Sequence, residues 1–458
     1  MLIYFTVGNF LSFYSPQSLR LTAAGSCKER LGENTVELHR RRLLLSAVIY
    51  GANASGKTNL YKAMLFFQRL VLTSAQDLQC LMPLGEFRNQ LNTDAEKRPS
   101  TFEMAFLLDD MEYRYGFEAT PETVVKEWLY EANKPCFLRG QVDGEDTIQI
   151  EKPWEKATGL EARTRDNALF LSVCAAFALP KAEAIVNWIG NNLNMISAAQ
   201  PVDFFGYTMK RLNEQNFKER VVQFLQNADM NVEEIELAKD LPSLPLRTQG
   251  MSKGFAGQGV APMFTRHRKY DSDGNVSGSA YFPFESHESL GTQKAFALAG
   301  PIINALETGG VLVVDELDSR LHPVFTRQIV RMFNSSADNP RHAQLVFNTH
   351  DTNLLSFKVF NPQTGKDEYL YRRDQIYFTE KDHSENTHLY SLVEFKEQSS
   401  GRKVRNDASF EKDYLNGVYG AIPFIGNLFD LANHVRGLNL FSVKQNPKET
   451  TKKRLMCL

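Results

Sequence analysis

The period of the apolar positions changes along the chain. Leu2-Ile3-Tyr4-Phe5 and Phe10-Leu11-Ser12-Phe13 predict short strands, and Leu43 to Tyr50 is an unbroken apolar run. Such a run suits a strand buried on both faces of a parallel sheet. A glycine-containing turn follows, after which Leu60, Met64 and Phe67 give Asn59 to Leu70 helical spacing. Thr101–Leu108 and Tyr113–Glu118 flank Asp109-Asp110 and predict a hairpin. From about Arg165 to Asp240 the pattern is helical, broken at Pro180 and Pro201, with Phe217, Val221, Phe224 and Leu225 on one face. No heptad seam persists there, so no long coiled-coil arm is expected. Gly250 to Gly278, rich in Gly, Ser and Asp, reads as a mobile loop. Strand, helix, strand order then resumes through about Thr349.

A chain of 458 residues has room for two or three domains. Its net charge of −2 excludes a global basic footprint for nucleic acid. The basic runs at His39-Arg40-Arg41-Arg42 and Lys452-Lys453-Arg454 are short enough to be solvated segments. Cys27, Cys80, Cys136, Cys174 and Cys457 form no CxxC pair, which argues against a disulfide framework or zinc knuckle and fits a reducing compartment. The N-terminus lacks the layout of a signal peptide. Pro301 and Glu307 break the most apolar stretch, Ala295 to Val314, so no membrane span is expected and the cytoplasm is the expected location.

Gly51-Ala52-Asn53-Ala54-Ser55-Gly56-Lys57-Thr58 changes that picture, because it satisfies G-x-x-x-x-G-K-[ST] between an apolar strand and an amphipathic helix. Its glycines let backbone N–H groups turn toward phosphates at a helix N-terminus. Gly51, Asn53, Ser55, Gly56, Lys57, Thr58 and Asn59 are thus candidate nucleotide contacts. Lys57 would reach the β- and γ-phosphates, and the Thr58 hydroxyl would bind Mg²⁺. Val311-Leu312-Val313-Val314-Asp315-Glu316 is a buried-strand pattern ending in two carboxylates. Alone such a run is common. Beside a P-loop, Asp315 becomes the second Mg²⁺ ligand and Glu316 the group that orients or deprotonates water. The cofactors expected are ATP and Mg²⁺.

Two more stretches define the class. Glu288-Ser289-Leu290-Gly291-Thr292-Gln293-Lys294 opens a helical pattern, with Ser289 preceding Asp315 by 26 residues (315 − 289). His350, in Asn348-Thr349-His350-Asp351, follows Glu316 by 34 (350 − 316). This order resembles the ABC ATPases. The resemblance implies that Ser289 and Gly291 bind the γ-phosphate held by an opposite protomer, that Asp318 is the D-loop aspartate and that His350 is the switch histidine. Glu316, His350 and Lys57 are then the catalytic set. Thr292 stands where the usual signature has a glycine.

Asn9-Phe10-Leu11-Ser12-Phe13 is similar to the opening of RecF, SMC, Rad50 and OLD-like heads. Glu127-Trp128-Leu129-Tyr130, Asn167 to Ser172, Leu321-His322-Pro323 and Tyr414 to Pro423 resemble the standalone bacterial OLD-like and RloA-like (AAA15/AAA21) group. That resemblance implies the ATPase subunit of an anti-phage system of the Septu, PARIS or RloA kind, acting with a separately encoded effector. No D-x-D pair occurs over 351–458, so no appended nuclease of the TOPRIM type is expected.

The expected fold is α/β, an ABC ATPase head with an N-terminal mixed β lobe, a RecA-like parallel core and a helical insertion. The expected segments are 1–160 with Walker A, 161–280 as helical insertion and mobile loop, 281–395 with signature, Walker B and His350, and 396–458 at the C-terminus. Lys57 and Ser289 lie 232 residues apart (289 − 57), which leaves room for the insertion. The expected partners are a second copy in a head-to-tail dimer or higher oligomer, and an effector that is a nuclease. A RecF-like ATPase binding duplex DNA is the alternative. A transporter subunit is disfavoured by the insertion and the signature.

Overall fold

A computed structural model describes residues 1–38, 41–142, 145–197, 202–238, 262–361, 364–396 and 401–423. His39, Arg40, residues 239–261, Phe424, the Lys452–Arg454 run and Cys457 lie outside the described residues.

Strands β1 (Leu2–Gly8) and β2 (Gln17–Arg20) begin the N-terminal lobe. β3 (Thr35–Leu38) and β4 (Arg41–Leu44) form a separate antiparallel pair, and β5 (Ser46–Gly51) enters the core. The apolar run over Leu43–Tyr50 is therefore two strands, broken at Leu45, rather than one. The lobe resumes with β6 (Ser100–Leu108), β7 (Met111–Ala119), β8 (Val124–Glu131), β9 (Lys134–Val142) and β10 (Glu145–Ile150). Its seven strands run in the order β10-β9-β8-β7-β6-β1-β2, all neighbours antiparallel.

The core sheet adds β11 (Leu193–Ser197), β15 (Val311–Asp315), β16 (Gln344–Asn348), β19 (Ile376–Lys381) and β20 (Thr387–Ser391), in the order β11-β15-β16-β5-β19-β20, while β17 (Lys358–Asn361) and β18 (Lys366–Tyr369) pair with each other outside it. Its neighbours are parallel except β19 and β20. Alternation with period two divides its side chains between two cores. Ala47, Ile49, Val311, Val313 and Val346 join the first, and Val48, Tyr50, Leu312, Val314, Leu345 and Phe347 the second. The first core holds the helix Lys57–Thr73, which lies between the core sheet and the lobe, with Phe67 stacked on Phe117 at 5.6 Å. The second holds the helix Leu290–Thr308, with Ala295, Phe296, Ala299 and Ile302 buried.

That second helix accommodates Pro301 in its interior. Proline has no N–H, so the carbonyl of Ala297 loses its helical partner. The Thr208 hydroxyl of the neighbouring helix Val202–Arg211 donates to that carbonyl at 3.4 Å. Gly300 makes the approach possible, since a Cβ there would meet Thr208 Oγ1 at 2.4 Å.

Three further expectations change. Phe10–Phe13 is a tight turn, not a strand: the two residues exchange backbone hydrogen bonds at 2.9 Å while Leu11 adopts φ 50°. The stretch 161–280 is not purely helical. It contains β11, a parallel neighbour of β15, and a three-stranded sheet of β12 (Glu234–Leu237), β13 (Met263–Tyr270) and β14 (Val276–Pro283). The described part of the supposed mobile loop is thus the β13–β14 hairpin. Asp271 Oδ1 accepts the N–H groups of Asp273 and Asn275, and Gly274 takes φ 82°. The polar composition of that stretch suits a turn and a solvent-facing strand. Among the described residues no single helix is long and apolar enough to cross a membrane. The pair Phe170–Ala176 and Pro180–Asn192 reaches that length only by turning through 109°, and Phe170, Leu171, Ile185 and Ile189 are buried in the first core.

Candidate nucleotide site

The strands β5, β15 and β16 run parallel, so the segments leaving their C-terminal ends meet at one edge, where open α/β sheets bind ligands. Gly51 ends β5, Asp315 ends β15 with Glu316 just beyond, and Thr349 and His350 follow β16. The loop between Gly51 and Lys57 is held from both sides. Ser55 Oγ pairs with Thr379 Oγ1 of β19 at 2.6 Å, and Thr387 Oγ1 of β20 donates to the Ser55 carbonyl at 2.8 Å. Thr387 Oγ1 also pairs with the Ser12 hydroxyl at 2.7 Å, and Ser12 Oγ accepts Asn59 Nδ2 at 2.8 Å. The N-terminal turn therefore buttresses the loop, and the Asn59 amide points into that buttress. A Cβ at Gly56 (φ 109°) would meet Thr387 Oγ1 at 2.3 Å, so the loop packs as closely as glycine allows. Gly56 begins the helix without any side-chain cap, leaving the first N–H groups for an anion. Asn53 is exposed at the loop tip.

Lys57 is 7% exposed, and its Nζ donates to the carbonyls of Gly51 (2.8 Å) and Ala52 (3.0 Å). Burial pushes its amine down to about 8, against the pull of Glu316, Asp315 and Asp318. Thr58 Oγ1 donates to Asp315 Oδ1 at 3.0 Å, so two hard oxygen donors already face one another, as Mg²⁺ requires. Asn348 organises the carboxylates: its Nδ2 donates to Asp315 Oδ1 at 2.5 Å, and its Oδ1 accepts the Glu316 N–H at 2.7 Å. Glu316 takes φ 58°, an uncommon conformation for a residue with a Cβ. Lys294 Nζ donates to its carbonyl at 2.8 Å. The Lys294 amine is likewise lowered to about 8, chiefly by burial. His350 donates its N–H to Asp318 Oδ2 at 3.3 Å. Its imidazole is shifted below the ordinary histidine value by burial and then by the Lys57 charge.

Ser289 and Gly291 stand apart from this cluster. Ser289 is the N-cap of the helix Leu290–Thr308, accepting the Thr292 N–H at 3.1 Å, and it is exposed beside Leu290, itself 57% exposed. A Cβ on Gly291 would meet the Arg320 carbonyl at 3.1 Å, so the segment after Asp318 lies against the signature turn. The protomer thus brings Lys57, Thr58, Asp315, Glu316, Asp318 and His350 together and turns Ser289 outward.

No role for Asn348 or Lys294 is legible in the sequence, although both lie inside the motifs that flag the site. Thr379 and Thr387 carry no local signal. Other motif residues prove to be joints. Buried Glu127 accepts the N–H groups of Phe170 (2.7 Å) and Leu171 (3.0 Å) and the Tyr115 hydroxyl (2.9 Å), so the lobe caps the helix Phe170–Ala176. Burial raises its carboxyl above the ordinary value. His322 Nδ1 accepts the Val324 N–H at 3.3 Å and caps the helix Pro323–Phe333.

Residues 46–137 and 195–356, more than half of the chain and including Walker A, the signature turn, Asp315-Glu316, Asp318 and His350, match the family described as "AAA domain, putative AbiEii toxin, Type IV TA system". No curated protein matches. Among solved structures, the SMC head domain from Thermotoga maritima is 12% identical, with a TM-score of 0.37, over 85% of this chain and 98% of that one. CbiO1 from Clostridium perfringens, part of the ABC transporter complex cbiONQ, is also 12% identical, with a TM-score of 0.24, over 70% and 78%. On the extent of the family match, the chain belongs to the AAA-domain family described as putative AbiEii toxin of a type IV toxin–antitoxin system.

Proposed function

We propose that this chain is an ATP-binding and ATP-hydrolysing head of the OLD-like and RloA-like group. In this reading it works in head-to-tail pairs and controls a separately encoded nuclease in anti-phage defence. The observation that carries the ATPase reading is the meeting of Thr58, Asp315, Asn348 and Glu316 beside the uncapped start of the P-loop helix. Phosphates would take the free N–H groups of that helix. Lys57 would leave the Gly51 and Ala52 carbonyls for them, and their charge would favour its ammonium form against the burial that lowers it. Bound Mg²⁺, held by Thr58 and Asp315, would neutralise phosphate charge. Glu316 would orient the attacking water and take its proton, while the His350 imidazole would offer a hydrogen bond to the terminal phosphate.

Pairing is supported by the outward-facing Ser289 and by exposed Leu290. If the serine serves a partner's nucleotide, Ser289→Arg and Lys57→Ala proteins are each inactive, yet a mixture regains part of wild-type hydrolysis. The mixed pair has one intact site and one doubly broken site. Proven mixed pairs that stay inactive would show that each head works alone. The effector part of the reading has its own test. The chain alone hydrolyses ATP but leaves DNA and RNA intact in Mg²⁺ or Mn²⁺. Cleavage by the lone chain, lost on replacing acidic residues outside the ATP site, would sink the separate-effector reading.

A further inference from the structure

Immediately before Ser289 stands Glu288, whose side chain is only 10% exposed. Its Oε1 accepts two hydrogen bonds from β13, one from the fully buried Thr265 hydroxyl (2.5 Å) and one from His267 Nε2 (2.7 Å). The backbone of the same turn is tied from the other side, since Gln293 Nε2 donates to the Glu288 carbonyl (3.0 Å) and to that of Glu285 (3.1 Å). The His267 ring packs on Phe282 of β14 at 5.2 Å, and Phe282 stacks on His287 at 5.7 Å with the rings 6° from parallel. The β13–β14 hairpin is thus bolted to the residue preceding the signature serine. β13 and β14 belong to a small separate sheet whose outer strand faces solvent, while Met263 at the start of β13 is buried in the second core.

We propose that Thr265, His267 and Glu288 are positioning residues that fix the direction of Ser289, and hence its reach to the nucleotide of a partner head. The Ser289 hydroxyl already caps its own helix, so it presents one geometry only while the turn before it stays fixed. The hairpin supplies that constraint through a single carboxylate oxygen. This inference rests on the composite-site reading above, and complementation separates the two.

Glu288→Ala is expected to lower kcat about tenfold or more while ATP binding to its own P-loop is unchanged. Glu288→Gln, whose amide oxygen can accept the same two donors, should turn over near the wild-type rate. A merely electrostatic role would show the reverse for Gln. Glu288→Ala mixed with Lys57→Ala should regain activity, because the working site then combines the intact P-loop of the first chain with the intact signature of the second. Where Glu288→Ala does not fold, Thr265→Val combined with His267→Phe removes the same donors and gives the same readouts. Unchanged kcat in a folded variant overturns the clasp. So does a loss that Lys57→Ala fails to restore while the Ser289→Arg loss is restored. If neither loss is restored, the composite site itself falls, and the clasp with it.

Discussion

Glu316→Gln is expected to bind ATP with wild-type affinity, to accumulate as engaged pairs and to turn over about a hundredfold or more slowly. The substitution isolates chemistry because it leaves the backbone alone. Glu316 is held at φ 58° by the Asn348 amide oxygen on its N–H and by Lys294 on its carbonyl. Glutamine has the same Cβ, so it meets the same conformational cost and keeps both bonds. Only the carboxylate is lost, and with it the group able to take a proton from water. A hundredfold loss corresponds to about 2.7 kcal/mol of transition-state stabilisation. Single-turnover hydrolysis and nucleotide binding, measured on one preparation, check the result. Wild-type turnover would reduce Asp315-Glu316 to a strand end.

Arg372→Met should remove much of the stability of the protein, about 3–5 kcal/mol, without touching the nucleotide site. Arg372 is fully buried and clasps Asp374 with two bonds, Nε to Oδ1 at 2.9 Å and Nη2 to Oδ2 at 2.6 Å. Its remaining donors reach the carbonyls of Glu29 (2.6 Å) and Cys27 (3.3 Å). Asp374 in turn accepts the Ala24 N–H at 2.7 Å. Methionine fills similar space but strands a carboxylate that is 3% exposed. Domains have only about 5–15 kcal/mol in hand, so the urea midpoint should fall sharply. Arg372→Met combined with Asp374→Leu should recover a large part of the loss, because no buried charge is then left unpaired. A loss below about 1 kcal/mol in the single variant would show that the pair does not hold this end of the sheet.

What the sequence alone determined about this protein is local. A phosphate loop needs glycine at fixed intervals between a buried strand and a helix, and Gly51, Gly56, Lys57 and Thr58 satisfy that over eight positions. A strand buried on both faces shows itself as an apolar run, which is how β5, β15 and β16 are legible, and the 3.6 period marks the helices after Gly56 and Ser289. Period alone cannot say where a run is cut or whether two apolar pairs face each other across a turn. Hence Phe10–Phe13 read as a strand and Leu43–Tyr50 as one strand instead of two. The hairpin Met263–Pro283 was hidden for a related reason: β14 faces solvent and has no apolar side to announce it.

Only the tertiary structure decided which side chains complete the site. Asn348 and Asp315 are 33 residues apart, Ser55 and Thr387 are 332 apart, and Arg372 is 345 from Cys27. These pairs meet because the core sheet places β16 beside β15, and β19 between β5 and β20, a register set by packing on both faces. Their residue types carry no mark of that meeting. A buried threonine or asparagine becomes a clamp only when a donor or acceptor arrives from another strand, and the chain order does not say which strand that will be.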